Sequence, residues 1–92
     1  MIKSVRHKGL RRFFETGNAS GIQAGHARRL RMQLAALETA QTVKDMDIPG
    51  VRLHPLKGPL QGRWSVTVNG NWRLTFEFLD GNAHVLDYED HH

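Results

Sequence analysis

The stretch LHPLKG, residues 53–58, places a histidine and a lysine three residues apart around a proline. His54 can take up or release a proton near neutral pH, and Lys57 carries a compact positive charge. Such a pair suits cleavage of a phosphodiester, where a base, an acid and cations act on one anionic group. A turn with polar ends is the alternative interpretation of the same residues.

Further candidates lie toward the end of the chain, which closes on DYEDHH, residues 87–92. Arg73 stands at the start of an alternating segment that predicts a strand. Because antiparallel neighbours run in opposite directions, the end of the last strand should return to the start of the preceding strand. The candidate set is therefore His54, Lys57, Arg73, Asp90, His91 and His92.

Together these residues could cleave RNA. A base would take the proton of the ribose 2′-hydroxyl, cations would stabilise the phosphate, and an acid would protonate the leaving 5′-oxygen. When each residue is considered alone, a purely structural role explains it at least as well as a catalytic one. A strand arginine is usually a surface residue, and a charged terminus is usually solvated.

Other chemistries have less support. The six histidines form no H-E-x-x-H motif, and the chain has no cysteine, so we expect no metal site and no cofactor. A phosphate-binding G-x-x-x-x-G-K-[ST] motif and a nucleophile elbow around a serine are also missing from the sequence.

Composition indicates one domain over residues 1–92, with 39% hydrophobic residues and a formal net charge of +4. The positive charge favours an anionic partner such as nucleic acid, although a mildly basic protein can simply be well solvated. The lack of cysteine fits a reducing cytoplasm. No apolar run is long enough to span a bilayer.

Two helices are predicted in the first half of the chain. Leu10, Phe13 and Phe14 have helical spacing within residues 8–16, which predicts a core-facing stripe, and Gly17 suits the helix end. A second stripe predicts a helix over residues 23–39. Arg28, Arg29 and Arg31 fall off this stripe, either as a solvated face or as a face that follows phosphates.

The second half changes to a period of two. We expect strand structure to begin at Val51 and to continue as strands over residues 63–68, 72–78 and 83–89. Residues 2–5 could add a short strand. The fold class is therefore α+β, with two N-terminal helices packed on a mostly antiparallel sheet.

The register of the central hairpin follows from its apolar faces. A three-residue loop over 69–71 keeps every apolar residue on one face, whereas a two-residue turn at 69–70 mixes the faces. The expected pairs are Val68 with Trp72, Val66 with Leu74, Trp64 with Phe76, Arg63 with Glu77 and Thr67 with Arg73. For the last strand, neither simple turn length after Asp80-Gly81 matches the apolar faces fully.

The ordered motifs resemble those of HigB toxins, within the RelE-like superfamily of bacterial toxin–antitoxin systems. The resemblance rests on the opening MIKS with HKGL, on LHPLKG, GRWSVTV and NWRLTF, and on the closing DYEDHH. It covers nearly the whole chain and implies a RelE-like fold. It also implies that His92 is the native C-terminus.

The resemblance implies a metal-independent endoribonuclease that cuts mRNA in the ribosomal A site and is held by a HigA-like helix-turn-helix antitoxin. His54, Lys57, Arg73, Asp90 and His92 match positions linked to activity in the family. His91 stands where relatives often have tyrosine. The expected roles are His54 or Asp90 as base, Lys57 and Arg73 as phosphate-stabilising cations, and His92 as acid, with a 2′,3′-cyclic phosphate and a 5′-hydroxyl as products.

Two other functions stay open at this point. The chain could be a basic module that binds RNA or the ribosome and blocks translation without cutting. It could also be a DNA-binding regulator, although neither helix carries a recognition-helix pattern.

Overall fold

The computed structural model describes residues 1–90, in which two helices lie against one face of a four-stranded antiparallel sheet. This arrangement confirms the α+β class. The strands follow one another across the sheet in chain order. The elements are α1 (Lys8–Thr16), α2 (Ala27–Thr39), β1 (His54–Pro55), β2 (Arg63–Asn69), β3 (Trp72–Leu79) and β4 (Asn82–Asp90). Three 3₁₀ turns connect them, at Ala24–His26, Val43–Met46 and Gly58–Leu60.

Helix α1 has defined ends. The Nδ1 atom of His7 accepts the backbone N–H of Leu10 at 3.0 Å, which satisfies one of the unpaired donors of the first turn. The helix ends at Gly17, whose φ of +81° suits a residue without a side chain. Leu10 and Phe13 are buried as expected, but Phe14 is 37% exposed, so its assignment to the core-facing stripe was wrong.

Helix α2 is shorter than predicted, because residues 24–26 form a 3₁₀ turn before the α-helix begins. Leu30, Leu34 and Leu37 are buried in the core. The fourth buried residue of α2 is Gln33, whose amide Nε2 donates to the carbonyl of Thr67 on β2 at 2.8 Å. A polar side chain therefore lies in the middle of the helix–sheet interface.

The hairpin of β2 and β3 has the predicted register along most of its length, with Trp64 opposite Phe76 and Arg63 opposite Glu77. The predicted pair of Val68 with Trp72 was wrong. Trp72 lies opposite Asn69, and the register shifts between Thr67 and Asn69. A bulge thus replaces one residue of the expected loop. Gln33 and Arg29 donate to the carbonyls of Thr67 and Val68, which explains how α2 stabilises this irregularity.

Strand β1 and the N-terminal segment differ from the expected strands. The stretch from Val51 does not begin a strand, because Arg52 has a φ of +53°, and β1 consists of His54 and Pro55 alone. Residues 2–5 make two isolated parallel bridges, Ile2 with Ala83 and Val5 with Leu86. These bridges cover the outer edge of β4, which would otherwise expose unpaired backbone groups.

Neither helix of the described region is long and apolar enough to cross a membrane.

Candidate active site

A cross-strand row of residues lies on the polar face of the sheet, opposite the helices, and it begins at the candidate residue His54. His54 on β1 lies opposite Ser65 on β2, Ser65 lies opposite Thr75 on β3, and Thr75 lies opposite Asp87 on β4. Ser65 and Thr75 are buried in the floor of this face. The Ser65 hydroxyl has no hydrogen-bond partner among the described residues.

His54 is exposed at the free edge of the sheet. Its Nδ1 atom lies 3.1 Å from the carbonyl oxygen of Arg52. A carbonyl oxygen can only accept, so Nδ1 carries the proton in this contact. Nε2 of the neutral ring is then an unprotonated nitrogen, which suits a group that accepts a proton.

Lys57 follows β1 and stands immediately before the turn at Gly58–Leu60, with its side chain exposed. Together with Gln61, Arg63 and Trp64 it lines a surface depression of about 460 Å³. The depression therefore has a cationic rim and an apolar wall, next to the edge that carries His54.

Arg73 lies on the polar face at the other end of β3. Its Nη1 atom donates to the carbonyl oxygens of Gly70 at 2.7 Å and Trp72 at 3.2 Å, so the guanidinium lies against the hairpin turn. Arg73 lies two strands away from His54 across the sheet and two residues away along the strand direction. At ordinary strand spacings, the Cα atoms of the two residues are about 12 Å apart. The two residues share one face without direct contact.

Asp90 returns to the neighbourhood of Arg73, as expected, but on the opposite face. Trp72 is the cross-strand partner of Asp90, whereas Glu89 is the partner of Arg73. Because successive side chains alternate between faces, Asp90 and Arg73 point to opposite sides of the sheet. His91 and His92 lie outside the described residues.

Sequence reasoning missed a hydrogen-bond network on the polar face. The Nη2 atom of Arg63 donates to the hydroxyl of Thr75 at 3.0 Å and to the carbonyl of Val85 at 2.7 Å. The Thr75 hydroxyl in turn donates to Glu89 at 3.0 Å. Arg63 was expected only as a surface partner of Glu77. Arg63 and Glu77 are cross-strand neighbours in the backbone register, but the Arg63 guanidinium extends across the sheet to β4.

A second unpredicted cluster anchors the end of β4 from the helix side. The Tyr88 ring stacks on Trp72, with centroids 4.5 Å apart, and its hydroxyl lies 2.6 Å from Nδ1 of His26. Burial lowers the pKa of His26. Burial also raises the pKa of Tyr88, against the opposing effect of the hydrogen bond from the Gln23 amide. Both groups are therefore favoured in their neutral forms.

Two of the three off-stripe arginines of α2 have intramolecular contacts. Arg29 donates to the Val68 carbonyl at 3.0 Å, and the guanidinium of Arg31 lies 5.4 Å from the centre of the Phe13 ring. These contacts favour a structural interpretation over a phosphate-binding one. Within residues 1–90, no three histidine, aspartate or glutamate side chains are grouped so that they could hold a metal ion.

Comparisons with known proteins identify a matching family and similar relatives. A family model for the HigB-like toxin, described as the RelE-like toxin of type II toxin–antitoxin system HigB, matches residues 3–92. The chain is 47% identical to Endoribonuclease HigB of Proteus vulgaris over 92 residues, which is 100% of both chains. It is 34% identical to Toxin HigB-1 of Vibrio cholerae serotype O1 over 94 residues, covering 100% of this chain and 98% of the relative.

Proposed function

The chain belongs to the HigB-like family of RelE-like toxins from type II toxin–antitoxin systems, and from this premise we propose that it is an mRNA endonuclease acting in the A site of the ribosome. The observation that carries the proposal is the 47% identity, over the full length of both chains, to a relative named Endoribonuclease HigB. The positions of His54, Lys57 and Arg73 on or beside one polar face support it.

In the proposed reaction, the ribose 2′-oxygen attacks the adjacent phosphorus while the bond from phosphorus to the 5′-oxygen breaks. A base accepts the 2′-hydroxyl proton, and an acid donates a proton to the departing 5′-oxygen. The products are a 2′,3′-cyclic phosphate and a 5′-hydroxyl. The reaction is proposed to proceed without a metal ion.

His54 is the favoured base, because its contact with the Arg52 carbonyl leaves Nε2 able to accept a proton. Asp90 is the alternative base, and His92 is the proposed acid. His91 contributes to RNA placement in this proposal, by stacking or by titration. Lys57 and Arg73 would stabilise the negative charge that develops on the phosphate.

Arg73 requires a rearrangement for this role. Its guanidinium now donates to two neutral carbonyls. A phosphate forms stronger, charge-assisted hydrogen bonds with arginine than a carbonyl does, so an arriving substrate would draw the side chain away from the hairpin turn.

Ribosome dependence is consistent with the openness of the site. His54 and Lys57 are both exposed. An open face restrains a flexible RNA poorly, and a ribosome that presents the mRNA in one conformation would provide the missing orientation. This substrate places the proposed activity in the cytoplasm.

A type II toxin has an antitoxin as its partner, and we propose a HigA-like helix-turn-helix protein for this chain. The net charge of +4 would favour an acidic contact surface on that antitoxin.

The proposed function is tested by mapping cuts in one mRNA by primer extension, with and without translating ribosomes. We expect cuts at codon-phased positions only when translating ribosomes are present. The 5′ ends of the fragments should carry hydroxyl groups, and fragments with 3′-hydroxyl and 5′-phosphate ends would refute the mechanism.

Two other results would redirect the proposal. Translation that stops without any cut would identify a module that blocks the ribosome by binding. Cuts in naked RNA would identify a nuclease that needs no ribosome to orient its substrate.

A further inference from the structure

Strand β4 contains a bulge whose geometry is unusual for its residue type. The register between β3 and β4 shifts between Thr75, which lies opposite Asp87, and Glu77, which lies opposite His84. Within this shift, Val85 has a φ of +51°. A β-branched residue is rare at positive φ, because its side chain crowds the backbone there. Contacts from elsewhere in the chain must therefore hold this conformation.

Two side chains from distant parts of the sequence form hydrogen bonds with the backbone of Val85. The N–H of Val85 donates to the hydroxyl of Ser4 at 2.8 Å. The carbonyl of Val85 accepts from the guanidinium of Arg63 at 2.7 Å. Of these two groups, Arg63 alone is charged, and it is half-buried, so its hydrogen bond is the stronger restraint.

The bulge decides which residues of β4 reach the polar face. If the ladder continued from the pair of Glu77 with His84 without a bulge, Thr75 would lie opposite Leu86. Because side chains alternate, Leu86 would then lie on the polar face, and Asp87 and Glu89 would turn toward the core. Arg63 also reaches Glu89 through the Thr75 hydroxyl, so it restrains β4 at both ends of this segment.

We propose that Arg63 is a positioning residue of the nuclease: by holding the Val85 bulge and the Thr75–Glu89 contact, it sets the face and register of the C-terminal end of β4 relative to Arg73. This inference rests on the proposed function, since β4 ends at the candidate residue Asp90, and His91 and His92 follow it in the sequence. Arg63 acts through the Val85 carbonyl and the Thr75 hydroxyl, and needs no contact with RNA.

The test compares the wild-type protein with Arg63→Gln in ribosome-dependent cleavage and in amide hydrogen exchange. We expect a loss of about 100-fold in kcat for Arg63→Gln, as for a reactive group displaced by about 1 Å. KM should change less than about threefold, because no contact with RNA is lost. The amides of Val85 and Leu86 should exchange faster, whereas the Thr67 amide on β2 should keep its protection.

The double variant Arg63→Gln with Val85→Gly separates positioning from a direct charge effect. Glycine adopts positive φ without crowding, so this variant should recover about tenfold of the lost kcat. Arg12→Gln removes the same charge from the exposed face of α1 and should cleave like the wild type. Arg63→Lys keeps the charge with a shorter reach, and we expect an intermediate kcat.

Several results would overturn the inference. They are an unchanged kcat in Arg63→Gln, a loss confined to KM, or a loss of activity while the β4 amides keep wild-type exchange. The failure of the proposed function looks different, because the wild-type protein itself would then cut no RNA. Amide exchange would still report whether Arg63 holds the bulge.

Discussion

The hydroxyl of Tyr88 is predicted to contribute measurably to stability, and Tyr88→Phe removes it while keeping the ring. The residue is 4% exposed, and its ring stacks on Trp72. The hydroxyl lies 2.6 Å from Nδ1 of buried His26, and it accepts the Gln23 amide at 3.3 Å. The substitution therefore deletes polar contacts and leaves the apolar packing in place.

The magnitude follows from the state of His26 after the change. His26 is 7% exposed, so its Nδ1 atom would lose its partner in a site that water hardly reaches. A buried group left without a hydrogen bond costs about 1–3 kcal/mol. The second bond is long and adds little. For a domain of this size, 1 kcal/mol shifts Tm by about 4–8 °C, so a loss of ~2 kcal/mol would lower Tm by about 10 °C.

Urea unfolding followed by circular dichroism measures this difference directly. The matched control is Thr39→Val, which removes an exposed hydroxyl whose bonds to helix carbonyls are 3.3 Å long. The control should change the free energy of unfolding by less than about 0.5 kcal/mol. A change of similar size for Tyr88→Phe, with an unchanged m-value, would refute the conclusion that the hydroxyl anchors β4 to the start of α2.

Three further predictions concern activity, pH and packing. His54→Ala should lower kcat by about 10²–10⁴-fold without loss of structure, because the side chain is exposed, and a loss below tenfold would contradict its role as base. Burial lowers the pKa of His26 below 6.5, so as the pH falls the His26 ring is protonated in the unfolded chain before it is protonated in the folded protein. The neutral His26 therefore contributes its full stabilisation above about pH 6.5, and this contribution is lost as the pH falls through the folded-state pKa. In urea unfolding from neutral pH to about pH 5, His26→Gln should lose less stability with falling pH than the wild type does. The same pH dependence in both proteins would contradict this prediction. Gly9→Ala should lower the free energy of unfolding by about 1–3 kcal/mol, because the added Cβ would meet the Gly21 backbone oxygen at 2.2 Å. The control Gly25→Ala places its Cβ in open space and should change stability by less than about 0.5 kcal/mol. Equal melting temperatures for the two variants would refute this prediction.

The candidate residues were chosen from local sequence patterns, and the structure shows where those patterns place them. His54 and Lys57 were chosen because they flank a proline in a turn expected between two strands. The strand expected from Val51 does not form, and the structure places His54 on the edge strand β1 and Lys57 just after it. The hairpin register placed Arg73 on the polar face, since one apolar face must be buried. Their catalytic roles stay predictions, as do those of Asp90, His91 and His92.

The same reasoning could not identify Arg63 or Tyr88. The partners of Arg63 are 12 and 22 residues away, and the partners of the Tyr88 hydroxyl are 62 and 65 residues away. The alternation around Arg63 predicts its face correctly. Alternation carries no information about which distant carbonyl a long side chain reaches.

Local patterns are sufficient to predict the helices, the alternating strands, most of the β2–β3 register and the family to which the chain belongs. These features follow from local periodicity and ordered motifs, which neighbouring residues encode together. The register of β4, for which neither simple turn length matched the apolar faces, depends on contacts that form only in the folded chain. A bulge at Val85 resolves that mismatch, and its positive φ is held by Ser4 and Arg63, which are brought to it by the fold. A conformation that is unfavourable for its own residue can be stabilised by distant partners alone, so the local sequence could not predict it.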